Sequence, residues 1–260
     1  MDRKDEMTRE RTWQRWLAPL VFACVLVAIW GLVSPGVPHF LLPSPGSVVV
    51  RFVEGLTWGS GGMLSYLGVT LGEALGGCVL GAVVALPLAV LVHRFWWVSA
   101  AVNPFLGATQ AIPAIALAPL LVLWVGYGWS GIVALCGLMV FFPILISTVL
   151  GLRHVAKEVV EAARMDGAGW WALLGEIEAP LALPSVLAGL RNGFTLSVTG
   201  AVVGEMVMGG NGLGMLLTVQ RDAADAAGMF ATIVLLCLVA SAIYSLIHAW
   251  EHRSRIVASL

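Results

Sequence analysis

Long apolar runs punctuated by short polar stretches are the feature that most constrains this chain. A helix needs about 20 apolar residues to cross a hydrocarbon core. Six segments meet or approach that length, at roughly 17–33, 66–92, 103–125, 132–150, 184–207 and 230–249. Of the 260 residues, 59% are hydrophobic and 11% are charged, against about 25% charged for an ordinary soluble domain. A soluble enzyme with one apolar core and a disordered protein are both excluded. A net charge of -1 gives no pull toward polyanions, which excludes a nucleic-acid partner. Backbone groups in lipid must pair internally, and no ten-residue alternating segments suggest a barrel. The expected fold class is an all-α membrane protein with six transmembrane helices.

Lys and Arg set the expected orientation. Eleven lie in segments that six spans place on one side: Arg3, Lys4, Arg9, Arg11 and Arg15; Arg94; Arg153, Lys157 and Arg164; Arg253 and Arg255. Only Arg51 and Arg221 lie on the other side, and Arg191 falls within span five. The positive-inside rule then makes both termini cytoplasmic. The expected division is a cytoplasmic segment 1–16, a first span and outer amphipathic segment 17–65, a core 66–250, and a cytoplasmic tail 251–260. The apolar run at the start continues to Val33 without a small-residue cleavage site, so it reads as a retained span. Cys24, Cys78, Cys136 and Cys237 lie in different spans and read as small apolar residues, with no metal site.

The outer segment is rich in turn formers, Ser34-Pro35-Gly36-Val37-Pro38 and Leu42-Pro43-Ser44-Pro45-Gly46, followed by an amphipathic run Ser47–Leu56. The inner segment 151–182 carries both charge and helix formers. It reads as a helix through Glu161-Ala162-Ala163, a turn centred on Gly167, and a second short helix that Pro180 stops. Trp170, Trp171, Leu173 and Leu174 add apolar groups where water is expected. Such a patch marks either a docking site or a helix pair packed on the bundle's own end.

Glu161-Ala162-Ala163, three residues ending in Asp166, Gly167, nine residues, Ile177, two residues and Pro180 resemble the EAA loop of bacterial ABC-importer permeases. Ala179 stands where the loop usually has Leu. Leu42-Pro43-Ser44-Pro45, the run Ile112 to Leu120, Trp124-Val125-Gly126-Tyr127-Gly128, Phe141-Phe142-Pro143, Gly204-Glu205-Met206 and Gly212-Leu213-Gly214 are similar to the branch importing sulfonates, taurine, nitrate and thiamine precursors. Val125 replaces the usual Phe.

The resemblance implies a MetI-like permease fold whose EAA loop (151–182) forms a cytoplasmic coupling helix. Glu161, Ala162, Ala163, Asp166, Gly167, Ile177 and Pro180 would seat against an ATPase. It further implies a bacterial inner-membrane, multi-pass subunit acting as a homodimer with two ABC ATPase subunits. A periplasmic or lipid-anchored binding protein would deliver substrate. ATP-Mg would sit on the ATPase and no cofactor on this chain. The sequence agrees: it has no Gly-x-x-x-x-Gly-Lys-[Ser/Thr] stretch, and its two lysines, Lys4 and Lys157, lie far from any Gly-rich loop. The motifs lean toward a thiamine-precursor or riboflavin-like heterocycle, with an aliphatic sulfonate, taurine or nitrate as the alternative.

Pro113 and Pro119 interrupt span three, and broken helices often line transport pathways. Trp124 and Tyr127 read either as an interfacial aromatic belt or as a stacking surface for a planar substrate. Glu205 reads either as a gate in the pathway or as a structural hydrogen-bonding group, whereas Glu73 beside Gly72, Gly76 and Gly77 reads as a partner-satisfied structural group, with substrate contact as the alternative. Arg191 either lines the inner exit, pairs with a carboxylate or snorkels to the interface. Two catalytic patterns are outweighed. Gly128-Trp129-Ser130-Gly131 matches a rhomboid-like protease, but His248 falls at the opposite membrane face. His248 to His252 matches a zinc-protease pattern but sits in a basic tail with no third ligand. A secondary transporter would leave the loop spacing unexplained. No catalytic residue is expected.

Overall fold

The computed structural model describes residues 21–57, 61–110 and 114–253, and it is helical in almost every element. The sequence signals account for the helix boundaries. The first helix, α1 (Val21–Gly36), tightens into a last turn at Ser34-Pro35-Gly36. Ser44 caps α2 (Pro45–Gly55), accepting from the Ser47 N–H at 3.2 Å, and Pro45 occupies a first-turn position where its missing N–H costs nothing. The 32 residues of α3 (Met63–Arg94) span about 48 Å at 1.5 Å per residue. That exceeds the hydrocarbon core, and the helix ends on His93 and Arg94.

Then follow α4 (Trp96–Gln110), a 3-10 turn (Ala114–Leu117), α5 (Ala118–Val125) and α6 (Trp129–Arg153). The short α7 (Lys157–Met165) precedes a continuous helical stretch. That stretch comprises α8 (Trp170–Ala172), a wide π turn (Leu173–Glu178) and α9 (Ala179–Met208). Finally α10 (Leu213–Asp222) and α11 (Ala226–Arg253) close the chain.

The core is a three-helix stack. α3 and α6 run parallel, and α9 runs antiparallel to both. In lipid there is little hydrophobic drive between helices, so close packing of small residues does the work. A Cβ on Gly81 would stand 2.9 Å from the Gly137 carbonyl oxygen, and one on Gly193 would stand 2.8 Å from a Val140 methyl. Gly77 faces Cys136 as tightly. Ala74, Ala85 and Ala89 of α3 are fully buried along the same seam. Two polar contacts tie it together: the Ser197 hydroxyl donates to the Ala74 carbonyl at 2.6 Å, and the Cys136 thiol donates to the Ser197 carbonyl at 3.4 Å. The opposite faces carry exposed Leu75, Val79 and Val83 on α3, and Ile233, Val234 and Leu238 on α11, as lipid contact requires.

This directionality gives the bundle two distinct ends. One holds α2, α10 and the first turns of α3, α6 and α11, and is called the cap end. Val48, Met63, Leu213, Ala231 and Leu235 pack there, with Trp30 stacked on Phe230 at 5.5 Å and donating to the Pro43 carbonyl at 3.0 Å. Arg51 of α2 pairs with Asp225 at 3.0 Å, joining α2 to the turn before α11. The other, the loop end, holds α7, the π turn and the last turns of α3 and α6.

Among the described residues four helical stretches are long and apolar enough to cross a membrane: Met63–Arg94, Trp129–Arg153, Trp170–Met208 and Ala226–Ile247. They correspond to the second, fourth, fifth and sixth expected spans. The first expected span appears as Val21–Gly36, and the third is divided between α4 and α5. Pro119 explains where α5 begins: it sits in the first turn, where it removes no needed donor. One expectation is corrected. Pro180 does not stop a short helix; it occupies the first turn of α9, and the helical stretch runs unbroken from Trp170 to Met208. The π turn just before it supplies the adjustment that lets a Pro sit in a continuing helix.

Candidate functional site

The loop end is built on a helix stop. Met165 is the last residue of α7, and Gly167 follows with φ +88, a left-handed conformation open to glycine. Two backbone bonds close this turn: Ala168 N–H to the Ala163 carbonyl at 3.0 Å, and Gly167 N–H to the Arg164 carbonyl at 3.1 Å. That pair defines a Schellman motif, with glycine at its required position. The expected Gly-centred turn is thus present with a physical reason. Around it, Glu161, Ala162 and Asp166 are exposed and Ala163 is half-buried. Ile177 lies half-buried on the π turn, and Pro180 begins α9.

Of the apolar groups flanking this turn, Leu173 is buried and Trp170 and Leu174 are half-buried, whereas Met165, Trp171 and Val159 remain uncovered. Met165 is 86% exposed and Trp171 73% exposed, and Val159 is also exposed. On a segment bearing Glu158, Glu161, Arg164 and Asp166, such residues form a surface suited to a protein partner.

Two contacts absent from the sequence reading bind this surface to the bundle. The Arg94 guanidinium lies 5.5 Å from the Trp170 ring centroid. His93 Nε2 lies 3.5 Å from a Glu178 carboxylate oxygen, and Glu178 is buried. The last turn of α3 therefore grips both ends of the stretch Trp170–Glu178. The sequence offers Arg94 just after span two only as a topology signal, and nothing in it marks His93.

At the cap end Glu205 is 1% exposed, and hydrogen bonds occupy both its oxygens. Oε1 accepts from the Thr70 hydroxyl at 2.7 Å. Oε2 accepts from the N–H groups of Gly214 at 2.6 Å and Met215 at 3.4 Å. The Thr70 oxygen in turn accepts from the Leu213 N–H at 2.8 Å. These three N–H groups open α10, whose N-cap is Gly212 and offers no side chain. Glu205 and Thr70 thus cap a helix from two other helices. A carboxylate there also complements the positive end of the helix dipole. Glu73 is buried beside Glu205, with its Oε2 lacking a partner among the described residues.

The other singled-out residues scatter. Trp124 and Tyr127 are each 76% exposed near the C-terminal end of α5. Trp124 lines an apolar cavity of about 590 Å³ with Leu80, Val84, Leu120 and Phe141; Tyr127 and Glu205 do not reach it. Pro119 opens α5, and Pro113 lies outside the described residues. The Arg191 guanidinium lies 4.8 Å from the Tyr244 ring centroid. Ser130 stands in the first turn of α6 at the cap end, whereas His248 belongs to the final turns of α11 at the far end. About 20 residues of helix separate those levels, roughly 30 Å.

The chain thus joins a polytopic helical bundle to an exposed, glycine-stopped loop at one end. The chain belongs to the binding-protein-dependent transport system inner membrane component family, which residues 77–256 match. It is 40% identical over 244 residues to the riboflavin transport system permease protein RibX of Chloroflexus aurantiacus, covering 92% of this chain and 90% of RibX. It is 35% identical over 224 residues to the formylaminopyrimidine transport permease protein ThiX of Halalkalibacterium halodurans, covering 86% and 88% of the two chains. Its fold is similar to that in an inward-facing structure of the MetNI methionine ABC transporter, with a TM-score of 0.66 at 20% identity, covering 73% of this chain and 94% of the other. The protein is therefore a multi-pass ABC-importer permease with a MetI-like fold. ATP is used by a separate ATPase in such systems, which also employ a binding protein.

Proposed function

We propose that this chain forms a homodimeric translocation pathway for a neutral, planar heterocycle of the riboflavin or thiamine-precursor type. The names of the relatives RibX and ThiX support that substrate class, and the motifs from Ile112 to Gly128 point the same way. The loop end faces the cytoplasm together with both termini, and the cap end receives the binding protein. The observation that carries the coupling reading is the exposed α7–Trp171 surface stopped by the Gly167 turn. Glu161, Ala162, Ala163, Asp166, Gly167, Ile177 and Pro180 form or position the element seated in each of two ATPase subunits, which hold ATP-Mg. Pro113, Pro119, Trp124, Tyr127 and Glu205 border or shape the pathway. For Glu205 the capping geometry favours shaping over contact with substrate.

The test is gentle co-purification from membranes, followed by ATPase and uptake assays in vesicles. A stoichiometric soluble ATPase, lost on Gly167→Asp, is expected. Retention of ATPase and uptake at the unaltered level in that variant would overturn the coupling assignment. The sulfonate, taurine or nitrate alternative stands because Leu42-Pro43-Ser44-Pro45 and the related stretches resemble a branch that imports both kinds of substrate. Micromolar affinity of the cognate binding protein for a sulfonate or nitrate, with none for heterocycles, would decide for it.

A further inference from the structure

A second feature of the loop end is a cavity of about 540 Å³ between the last turns of α3 and α6, the start of α4 and the inner side of α7. Arg94, Arg153, Lys157 and Arg164 line it, against the carboxylates of Glu161 and Glu178. Glu178 is already engaged by His93 at 3.5 Å. The cavity therefore carries a surplus of positive charge even with His93 neutral. Its wall includes Ser99, whose hydroxyl accepts from Arg153 Nη2 at 2.8 Å, so a neutral hydroxyl and a guanidinium are presented together.

The rim locates this cavity at the edge of the membrane. Trp96 lines it and is 82% exposed, and the neighbouring Trp97 is 61% exposed. Exposed tryptophans at the end of an apolar span belong at the headgroup level. The α7 side chains that enter the cavity, Lys157, Glu161 and Arg164, follow helical spacing on one face. Val159, Ala162 and Met165 are exposed on α7 at i, i+3 and i+6, and none of them lines the cavity. One short helix thus presents one face to a protein partner and another to a basic pocket.

We infer that this cavity binds a phosphate-bearing anion, supplied as the headgroup of an anionic phospholipid of the adjoining leaflet. Several guanidinium and ammonium groups converge where a phosphodiester at headgroup depth would lie, and planar guanidinium forks suit its oxygens. Basic pockets between membrane helices hold such headgroups by the same electrostatics. The bound lipid would bridge Arg94 and Arg153 of the bundle to Lys157 and Arg164 of α7, stiffening the loop against the core. In naming the leaflet as cytoplasmic, the inference rests on the orientation proposed above.

The experiment uses the full chain, purified in neutral detergent with whatever partners accompany it, and native mass spectrometry of bound lipid. Phosphatidylglycerol is titrated against phosphatidylcholine of the same acyl chains, and glycerol phosphate is the soluble control. Phosphatidylglycerol is expected to bind at least ten-fold tighter than phosphatidylcholine. Arg153→Gln should weaken it about five-fold, since a cation near such a surface contributes about 1 kcal/mol. Arg94→Gln with Arg153→Gln should weaken it well over ten-fold. Arg221→Gln, at the cap end, should leave it unchanged, and a melting curve checks that each variant is folded. Equal affinity for the two lipids, or equal losses in Arg153→Gln and Arg221→Gln, would overturn the site. Glycerol phosphate binding as tightly as the lipid would overturn the lipid source. Neither Arg94 nor Arg153 belongs to the loop motif, and lipid counting needs no ATPase. A failed co-purification therefore strikes the coupling reading and leaves this inference to its own result.

Discussion

Replacing Glu205 tests the cap-end network most directly, because each atom of its carboxylate has an assigned partner. In Glu205→Ala the N–H groups of Gly214 and Met215 lose their acceptor, and the Thr70 hydroxyl loses its strongest one. An orphaned buried donor costs about 1–3 kcal/mol. The Met215 bond is already long at 3.4 Å, so most of the loss falls on Gly214 and Thr70. The site is 1% exposed, which bars easy rescue by solvent, and the removed side chain also leaves a void. A destabilisation of about 3–5 kcal/mol is expected from these contributions.

Glu205→Gln should cost only about 1–2 kcal/mol. Its oxygen can turn to Gly214 while its NH₂ donates to Thr70, whose own proton turns to the Tyr66 carbonyl 3.2 Å away. What is lost is the charge assistance. Thr70→Val should cost about 1–3 kcal/mol, since it removes the acceptor of the Leu213 N–H. The assay is reversible unfolding in lipid discs or mixed micelles, followed by tryptophan fluorescence. Because Thr70 and Glu205 share one network, the double variant Thr70→Val with Glu205→Ala should cost less than the two single losses together, by about 1 kcal/mol or more. Additive losses, or a Glu205→Ala variant as stable as the unaltered protein, would refute the capping argument.

Three further outcomes are expected. Gly77→Leu should force α3 from α6, because even a Cβ at this position meets Cys136, and should lower folded yield in membranes, read by size-exclusion profile and protease resistance. Gly167→Ala should cost about 1–2 kcal/mol locally at φ +88, seen as faster amide exchange in residues 161–168 with the bundle unchanged. Glu178→Gln should weaken the grip of α3 on the π turn without unfolding the bundle. Increased exchange confined to residues 170–178 is the expected reading, and unchanged exchange would argue that the 3.5 Å contact with His93 carries no weight.

The sequence made the helical bundle legible because lipid imposes one rule on every span: apolar length. That rule acts residue by residue, so α3, α6, α9 and α11 were visible without tertiary information. It failed where an element is decided by its neighbours. Span three, one run from 103 to 125 by apolar length alone, was already read as interrupted at Pro113 and Pro119, and the turn Ala114–Leu117 leads there into α5. Pro180 looked like a stop signal, but a helix that widens by one residue per turn just ahead of it can carry a Pro in its next first turn. The Gly167 turn was legible because left-handed backbone and glycine are coupled locally. The Glu205 cap was not, since its three donors lie nine and ten residues away and across on α3; only folding reveals that Gly212 leaves α10 uncapped and that Glu205 and Thr70 supply what it lacks.

The same distinction bears on how motion could pass through the chain. The loop surface is joined to the bundle by side chains of α3, through Arg94 on Trp170 and His93 on Glu178, rather than by its own covalent neighbours alone. At its other end α3 supplies Thr70 to the cap of α10. Between these points its seam with α6 is tight at Gly77 and Gly81, which leave no room for even a methyl group, while Pro87 removes one backbone hydrogen bond nearer the loop end. A displacement imposed at Trp170 is therefore expected to pass along α3 and to be felt at Thr70. Spin labels at Trp171 and Thr218 should then report correlated shifts on ATP binding by the partner. In Arg94→Gln combined with Glu178→Gln the shift at Trp171 should persist while that at Thr218 fades. Undiminished movement at both positions would mean that α9, continuous from the loop end to Met208, carries the motion without α3.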